Sequence, residues 1–229
     1  CEEEEEKLEP SGATQYRGMT ARMNHLGQDR SEIQFAIKEL SKEMSSPSKR
    51  SWGKLKRLLR YLKGRPRYRL LFGYQAHPPE ITVWSDSDFA GCKKSRKSTS
   101  AGVLMLGAHT VKSWATNQAV LALSSGEAEY YAIVKAASVA LGIRSLAADM
   151  GIKFESPIAI KSDASAAIGI SSRLGIGKVR HIEVTQLWVQ EKVAKREIAI
   201  HKVATEDNLA DALTKELDAH IIQKHVSGI

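Results

Sequence analysis

The 229 residues carry 42% apolar and 26% charged side chains, the balance of a globular protein with one good core and room for a small appended piece. No apolar run approaches the roughly 18–20 residues of a membrane span and no secretory signal opens the chain, so neither a membrane partner nor secretion is expected. Two cysteines, Cys1 and Cys92, exclude a disulfide framework and a zinc cage, and a reducing intracellular compartment, cytoplasmic or nuclear, is the simpler expectation.

A net charge of +8 and a pI near 9.4 suit a polyanionic partner. The first residue is not methionine, which reads as a fragment of a longer product. The opening "CEEEEEKLEP" is an acidic run, and residues 1–15 are expected to be a disordered tail.

Residues 31–46 read as a helix capped by Ser31, with Ile33, Ile37, Leu40 and Met44 on one face. Residues 51–63, "SWGKLKRLLRYLK", read as a second helix, with Trp52, Leu55, Leu59 and Leu62 inward and Gly64 as the stop. Between Lys42 and Arg69 the chain is dense in lysine and arginine against the single acid Glu43. The basic face of this pair, Lys54 and Arg57 included, is either a nucleic-acid backbone contact or a solvated surface.

"GYQAHPP", residues 73–79, is a linker, after which the pattern changes. Residues 80–86 read as a strand ending in acids, and "AGVLMLG" and "HTVKSWA" as a hairpin about Gly107 and Ala108. A long helix follows over 125–149, then strand 157–163, a short helix 164–172, a helix near 181–196, strand 197–203 and a last helix over 205–217. That order implies an α/β fold, a mixed sheet with helices packed on it.

The long helix contains Glu127 and Glu129. Unrolled at about 100° per residue, Glu129 shares its stripe with Ile133, Ala136, Ala140, Ile143 and Ala147. Glu127 falls on the polar side with Tyr131, Lys135 and Ser138, as an ordinary solvent residue. A carboxylate on an apolar stripe calls for pairing, protonation or a metal, unless the first turn frays into solvent there, where the helix dipole favours an anion.

Asp86 and Asp163 each follow a predicted strand, where ligands gather in α/β sheets. The same positions suit turn chemistry for Asp86 and Asp88 and a helix cap for Asp163. Asp211 lies opposite the stripe of Leu209, Leu213 and Leu217, and periodicity does not single it out.

"WSDSDFAGCKKSRKSTSAGVLMLG", "ALSSGEAEYYAIVKAA", "IAIKSDASAAI", "KVRHIEV" and "NLADALTKEL" resemble, in the same order, the ribonuclease H region of copia-type (Ty1/copia) retrotransposon polyproteins. The earlier "QYRGMTARMNHLGQDRSEIQFAIKELSKEM" and "WGKLKRLLRYLKG" resemble the end of the adjoining reverse transcriptase. This divides the chain into a tail (1–15), a helical segment (16–72), a linker (73–79), a ribonuclease H-like domain (80–217) and a C-terminal tail (218–229).

The resemblance implies a five-stranded mixed sheet flanked by helices and a site of Asp86, Glu129, Asp163 and Asp211 holding two magnesium ions, with manganese able to substitute. Asp86 would bridge the ions, Glu129 and Asp163 would complete one site and Asp211 the other. Two such ions about 3.5–4 Å apart activate water and stabilise both the attacking and the leaving oxygen.

The implied substrate is the RNA strand of an RNA/DNA hybrid, and the implied partner the upstream reverse transcriptase portion, with no small-molecule cofactor. Lys54, Arg57, Lys93, Lys94, Arg96 and Lys97 are the candidate phosphate contacts. The polymerase's own aspartate pair is absent, so the chain alone should not synthesise DNA. Neither His181 nor His201 is assigned a role. The alternative is a catalytically silent retroelement remnant that binds nucleic acid.

Overall fold

The computed structural model describes residues 6–92, 94–175, 177 and 182–216. The chain divides between Leu71 and Phe72 into two compact units.

The first unit opens with α1, Pro10–Leu26, in place of much of the expected tail. Pro10 sits where a helix has no use for an N–H, and Ala13, Tyr16 and Thr20 repeat at helical spacing and are buried. Lys7 already bridges to Ser48, so of the expected disordered segment residues 1–5 lie outside the described residues and the rest is ordered.

α2, Gln34–Lys42, follows a 3-10 turn over Ser31–Ile33. Ser31 does not cap it: its hydroxyl is buried, and no side chain caps either element. α3, Lys49–Gly64, starts earlier than its apolar period suggested because Ser48 and Ser51 form a reciprocal capping box. Its seam is Leu55 and Leu58, with Trp52, Leu59 and Leu62 only partly covered. These pack with Tyr16, Ile33, Ile37 and Leu40, and the buried Tyr16 hydroxyl donates to the Leu40 carbonyl at 2.8 Å.

The second unit is built on five strands, β1 (Ile81–Asp88), β2 (Thr99–Leu106), β3 (His109–Asn117), β4 (Ile158–Ser162) and β5 (Ile198–Lys202), in the order β3-β2-β1-β4-β5. β1–β2 and β2–β3 pair antiparallel, while β1–β4 and β4–β5 pair parallel. Order and directions together are those of the ribonuclease H-like fold.

α4 (Ser125–Asp149), α5 (Ser165–Ser171) and α6 (Trp188–Ala194) close one face over Ile81, Val83, Leu104, Ile158 and Ile160. α4 is long and apolar enough to cross a bilayer by length and composition, but its stripe of Ile133, Ala136 and Ala140 is fully buried in this core. On the other face Leu209 and Leu213 pack with Trp84, Ala101 and Val103.

Two expected helices are shorter than their patterns. Over 181–196 a 3-10 turn at Val184–Gln186 precedes α6, and residues 178–181, with His181, lie outside the described set. In place of a helix over 205–217 there are two 3-10 turns, Thr205–Asp207 and Asp211–Leu213; Leu217 is outside the described residues. The break falls at fully buried Asn208. Its amide donates to the Ser85 carbonyl at 3.0 Å and its oxygen accepts from Ala210 N–H at 3.2 Å, a local alternative to helical pairing.

Glu127 is the clearest correction, because it is buried at 1% exposure rather than solvated. Ser124 caps α4 by accepting the Glu127 N–H at 3.2 Å. The Glu127 carboxylate folds back to accept the Leu123 N–H at 2.8 Å and the Tyr131 hydroxyl at 2.7 Å. The reciprocal cap holds the first turn down, and Glu129 lies in that turn's continuation. Glu127→Ala is expected to destabilise the protein by about 1–2 kcal/mol in urea unfolding, since the Leu123 N–H and the Tyr131 hydroxyl lose their acceptor in a part-buried place. A loss under about 0.5 kcal/mol would contradict this reading of the cap.

Candidate active site

Trp84 of β1 pairs with Lys161 of β4 in a parallel register. Two residues further on, Asp86, two residues before the end of β1, and Asp163, just past β4, therefore stand beside each other; the strand expected to stop at residue 86 runs on to Asp88. Glu129 reaches them from α4, and each of the three acids offers an oxygen within 4.8 Å of the others'. Asp86 is 5% exposed and the other two are half-buried.

Each carboxylate has one oxygen held by a donor of the protein. Asp86 Oδ2 accepts from the Thr214 hydroxyl at 2.6 Å, Asp163 Oδ2 from the Thr205 hydroxyl at 2.6 Å, and Glu129 Oε1 from the Ser87 N–H at 3.2 Å. Glu129 Oε2 is buried with no partner. Neighbouring Asp88 is turned to a structural use, accepting the Thr99 N–H across the β1–β2 pair.

The electrostatics follow from this crowding. Burial raises Asp86 to about 7, with the charges of Asp211 and Asp163 adding to it and the Thr214 bond opposing it. Burial raises Glu129 to about 8, assisted by Asp86 and Asp163 and opposed by Ser87. Two acids that resist ionising, a third carboxylate within reach of both and an orphaned buried oxygen among them fit a divalent cation that prefers oxygen ligands.

Asp211 stands apart from the group of three. Its Oδ1 is bound by Lys215 Nζ at 2.7 Å, although its charge still acts on Asp86.

The candidate phosphate contacts are scattered. Lys54 and Arg57 are exposed on α3, in the first unit. Lys94 and Arg96 are exposed on the loop joining β1 to β2, and Lys93 lies outside the described residues. Lys97 is half-buried and donates to the Ala119 carbonyl at 2.8 Å; it anchors that loop instead of presenting a free ammonium. His201 is exposed on β5.

Thr205, Asn208 and Thr214 are the participants that sequence reasoning missed. Asn208 and Thr214 lie three positions from Asp211 and Thr205 lies six away, spacings of polar residues too common to mark them. Asn208→Ala is expected to cost about 2–3 kcal/mol, because the buried Ser85 carbonyl loses its donor and the turn its anchor. Chemical denaturation tests this, and an unchanged midpoint would show that the turn is held by packing alone.

No family model matches the chain. It is 30% identical over 217 residues, 94% of its length, to the retrovirus-related Pol polyprotein from transposon RE1 of Arabidopsis thaliana. The chain is a relative of the copia-type retrotransposon Pol polyproteins. It spans about 15% of the length of that Pol polyprotein.

A second relative of this Pol-related chain, secreted RxLR effector protein 161 of Plasmopara viticola, is 37% identical over 112 residues, 49% of the chain and 78% of that protein. Among solved structures, LC11-RNase H1 in complex with an RNA/DNA hybrid is similar at 16% identity and a TM-score of 0.40, over 58% of this chain and 93% of that one.

Proposed function

We propose that the second unit is a magnesium-dependent endonuclease that hydrolyses the RNA strand of RNA/DNA hybrids during retrotransposon reverse transcription. The observation that carries the reading is the convergence of Asp86, Glu129 and Asp163 on one point, from two parallel strands and a helix, with a buried carboxylate oxygen left unpaired. Relatedness to Pol polyproteins supplies the context in which hybrids arise.

Asp86, Glu129 and Asp163 would hold magnesium, with manganese able to substitute, and Asp211 would complete a second position beside Asp86. When bound, such ions activate a water and stabilise charge on the attacking and leaving oxygens of a phosphodiester. The protein's own part is placement. The parallel register of β1 and β4 fixes two acids side by side, and α4 brings the third from its capped first turns. Burial of Asp86 and Glu129 keeps competing water away and disfavours their charged forms until a cation is present.

RNA is distinguished from DNA through 2′-hydroxyl contacts across a shallow groove. Exposed Lys54, Arg57, Lys94 and Arg96 would act on the phosphates, which position a duplex without reading its sequence. The upstream reverse transcriptase portion is the proposed partner.

The test is a comparison of substrates in magnesium. An RNA/DNA hybrid labelled on each strand should be cut in the RNA only, and duplex DNA should be untouched. Equal cutting of both strands would refute the assignment to RNA, and binding without cutting would favour a silent nucleic-acid-binding remnant.

A further inference from the structure

We infer that Thr205 and Thr214 are positioning residues, which hold Asp163 and Asp86 so that each presents a single free oxygen to the cation. The inference rests on the metal-binding reading above and adds to it the C-terminal turn as the element that sets the site's affinity.

The pattern of donors carries it. Asp86, Glu129 and Asp163 each have one oxygen engaged by the protein, through Thr214, Ser87 and Thr205 respectively. Among the described residues their other oxygens, Asp86 Oδ1, Glu129 Oε2 and Asp163 Oδ1, have no hydrogen-bond partner. Glu129 is held by the backbone N–H of Ser87, which a side-chain truncation leaves in place. The two aspartates are held by hydroxyls, and both hydroxyls belong to one short stretch, residues 205–214.

That stretch is fastened independently of the acids. Asn208 ties it to the Ser85 carbonyl on β1, one residue from Asp86, and Leu213 is buried against β2 beside Trp84. Thr214 is 2% exposed. Its hydroxyl is 2.9 Å from the Asp211 carbonyl as well as 2.6 Å from Asp86, so its rotamer is confined from two sides.

Without these bonds a carboxylate facing two like charges is free to rotate an oxygen away from them. With them, the repulsive arrangement is the resting one, and the cation meets oxygens already in place. Groups that orient metal-binding side chains in this way typically affect metal affinity by roughly 10- to 100-fold.

The experiment reads binding of manganese to the full chain by calorimetry, with no nucleic acid present. Thr214→Val and Thr205→Val keep the side-chain volume and remove the hydroxyl, while Thr214→Ser and Thr205→Ser restore it. The expected result is manganese affinity about 10-fold weaker in each valine variant and within about twofold of wild type in each serine variant, with the loss in Thr205→Val, at an exposed position, unaccompanied by a fall in thermal midpoint.

Valine variants that bind as tightly as wild type would overturn the inference and leave the metal site itself standing. Affinity lost in proportion to stability would also overturn it, as a folding effect. If wild type binds no manganese, the metal reading fails and the inference with it.

Discussion

Replacing Asp163 with asparagine is expected to abolish cleavage of the RNA strand and, in the absence of metal, to make the protein more stable. The two effects have opposite signs because the same charge does two things. Asp163 offers one of three carboxylate oxygens gathered within 4.8 Å, which together would hold the cation. Losing it should lower the rate by roughly 10³-fold or more, given the several kcal/mol of charge stabilisation such ions supply. Without a cation, Asp163 only repels, and its charge contributes to the raised pKa of both Asp86 and Glu129. Asparagine keeps an oxygen for the Thr205 hydroxyl and removes the repulsion, a gain of about 1–2 kcal/mol at pH 8 in chelator. An inactive variant that has also lost stability would be a folding casualty, and would say nothing of the site.

The metal-free protein should also lose stability as pH rises from about 4 to beyond 8. Asp86 and Glu129 ionise in the folded protein near 7 and 8, far above the ordinary carboxylate range of about 4 in an unfolded chain. Below that range both states are protonated, and the contribution of the buried neutral acids is fully present. Above it the unfolded chain releases its protons first, so folding is progressively disfavoured until the folded acids ionise too. The decline should be on the order of 3 kcal/mol between pH 5 and 8.5, read as the urea midpoint in chelator.

Saturating magnesium should flatten that decline, because the ionised acids then face a cation. Glu129→Gln should flatten it in chelator as well. A metal-free midpoint that stays level across this range would mean that the acids are not buried together as described.

How much of this is readable from the amino acids differs by element. The stripe of Ile133, Ala136 and Ala140 is legible because burial on a long helix repeats with the helix, and Glu129 stands out against it. The same wheel misplaces Glu127, since a first-turn carboxylate answers to the cap and not to the period. Its true signal was Ser124 followed three residues later by a glutamate.

Asp86 and Asp163 were legible as lying at or near strand ends, but only the parallel register of β1 with β4 makes them neighbours. The C-terminal turn was opaque. Asn208 and Thr214 find partners 123 and 128 residues away, and no local pattern encodes a bond of that span. Asp211 was reached only through family resemblance, and the structure keeps it paired with Lys215 and outside the group of three.

The most direct test of the central claim is cleavage of an RNA/DNA hybrid labelled on its RNA, by wild type and Asp163→Asn in parallel, with magnesium and with chelator. Cleavage by wild type that requires magnesium, with none in the variant despite intact hybrid binding, is the predicted result. Cleavage that persists in chelator or in the variant would contradict it, because the three acids would then not be the groups that do the chemistry.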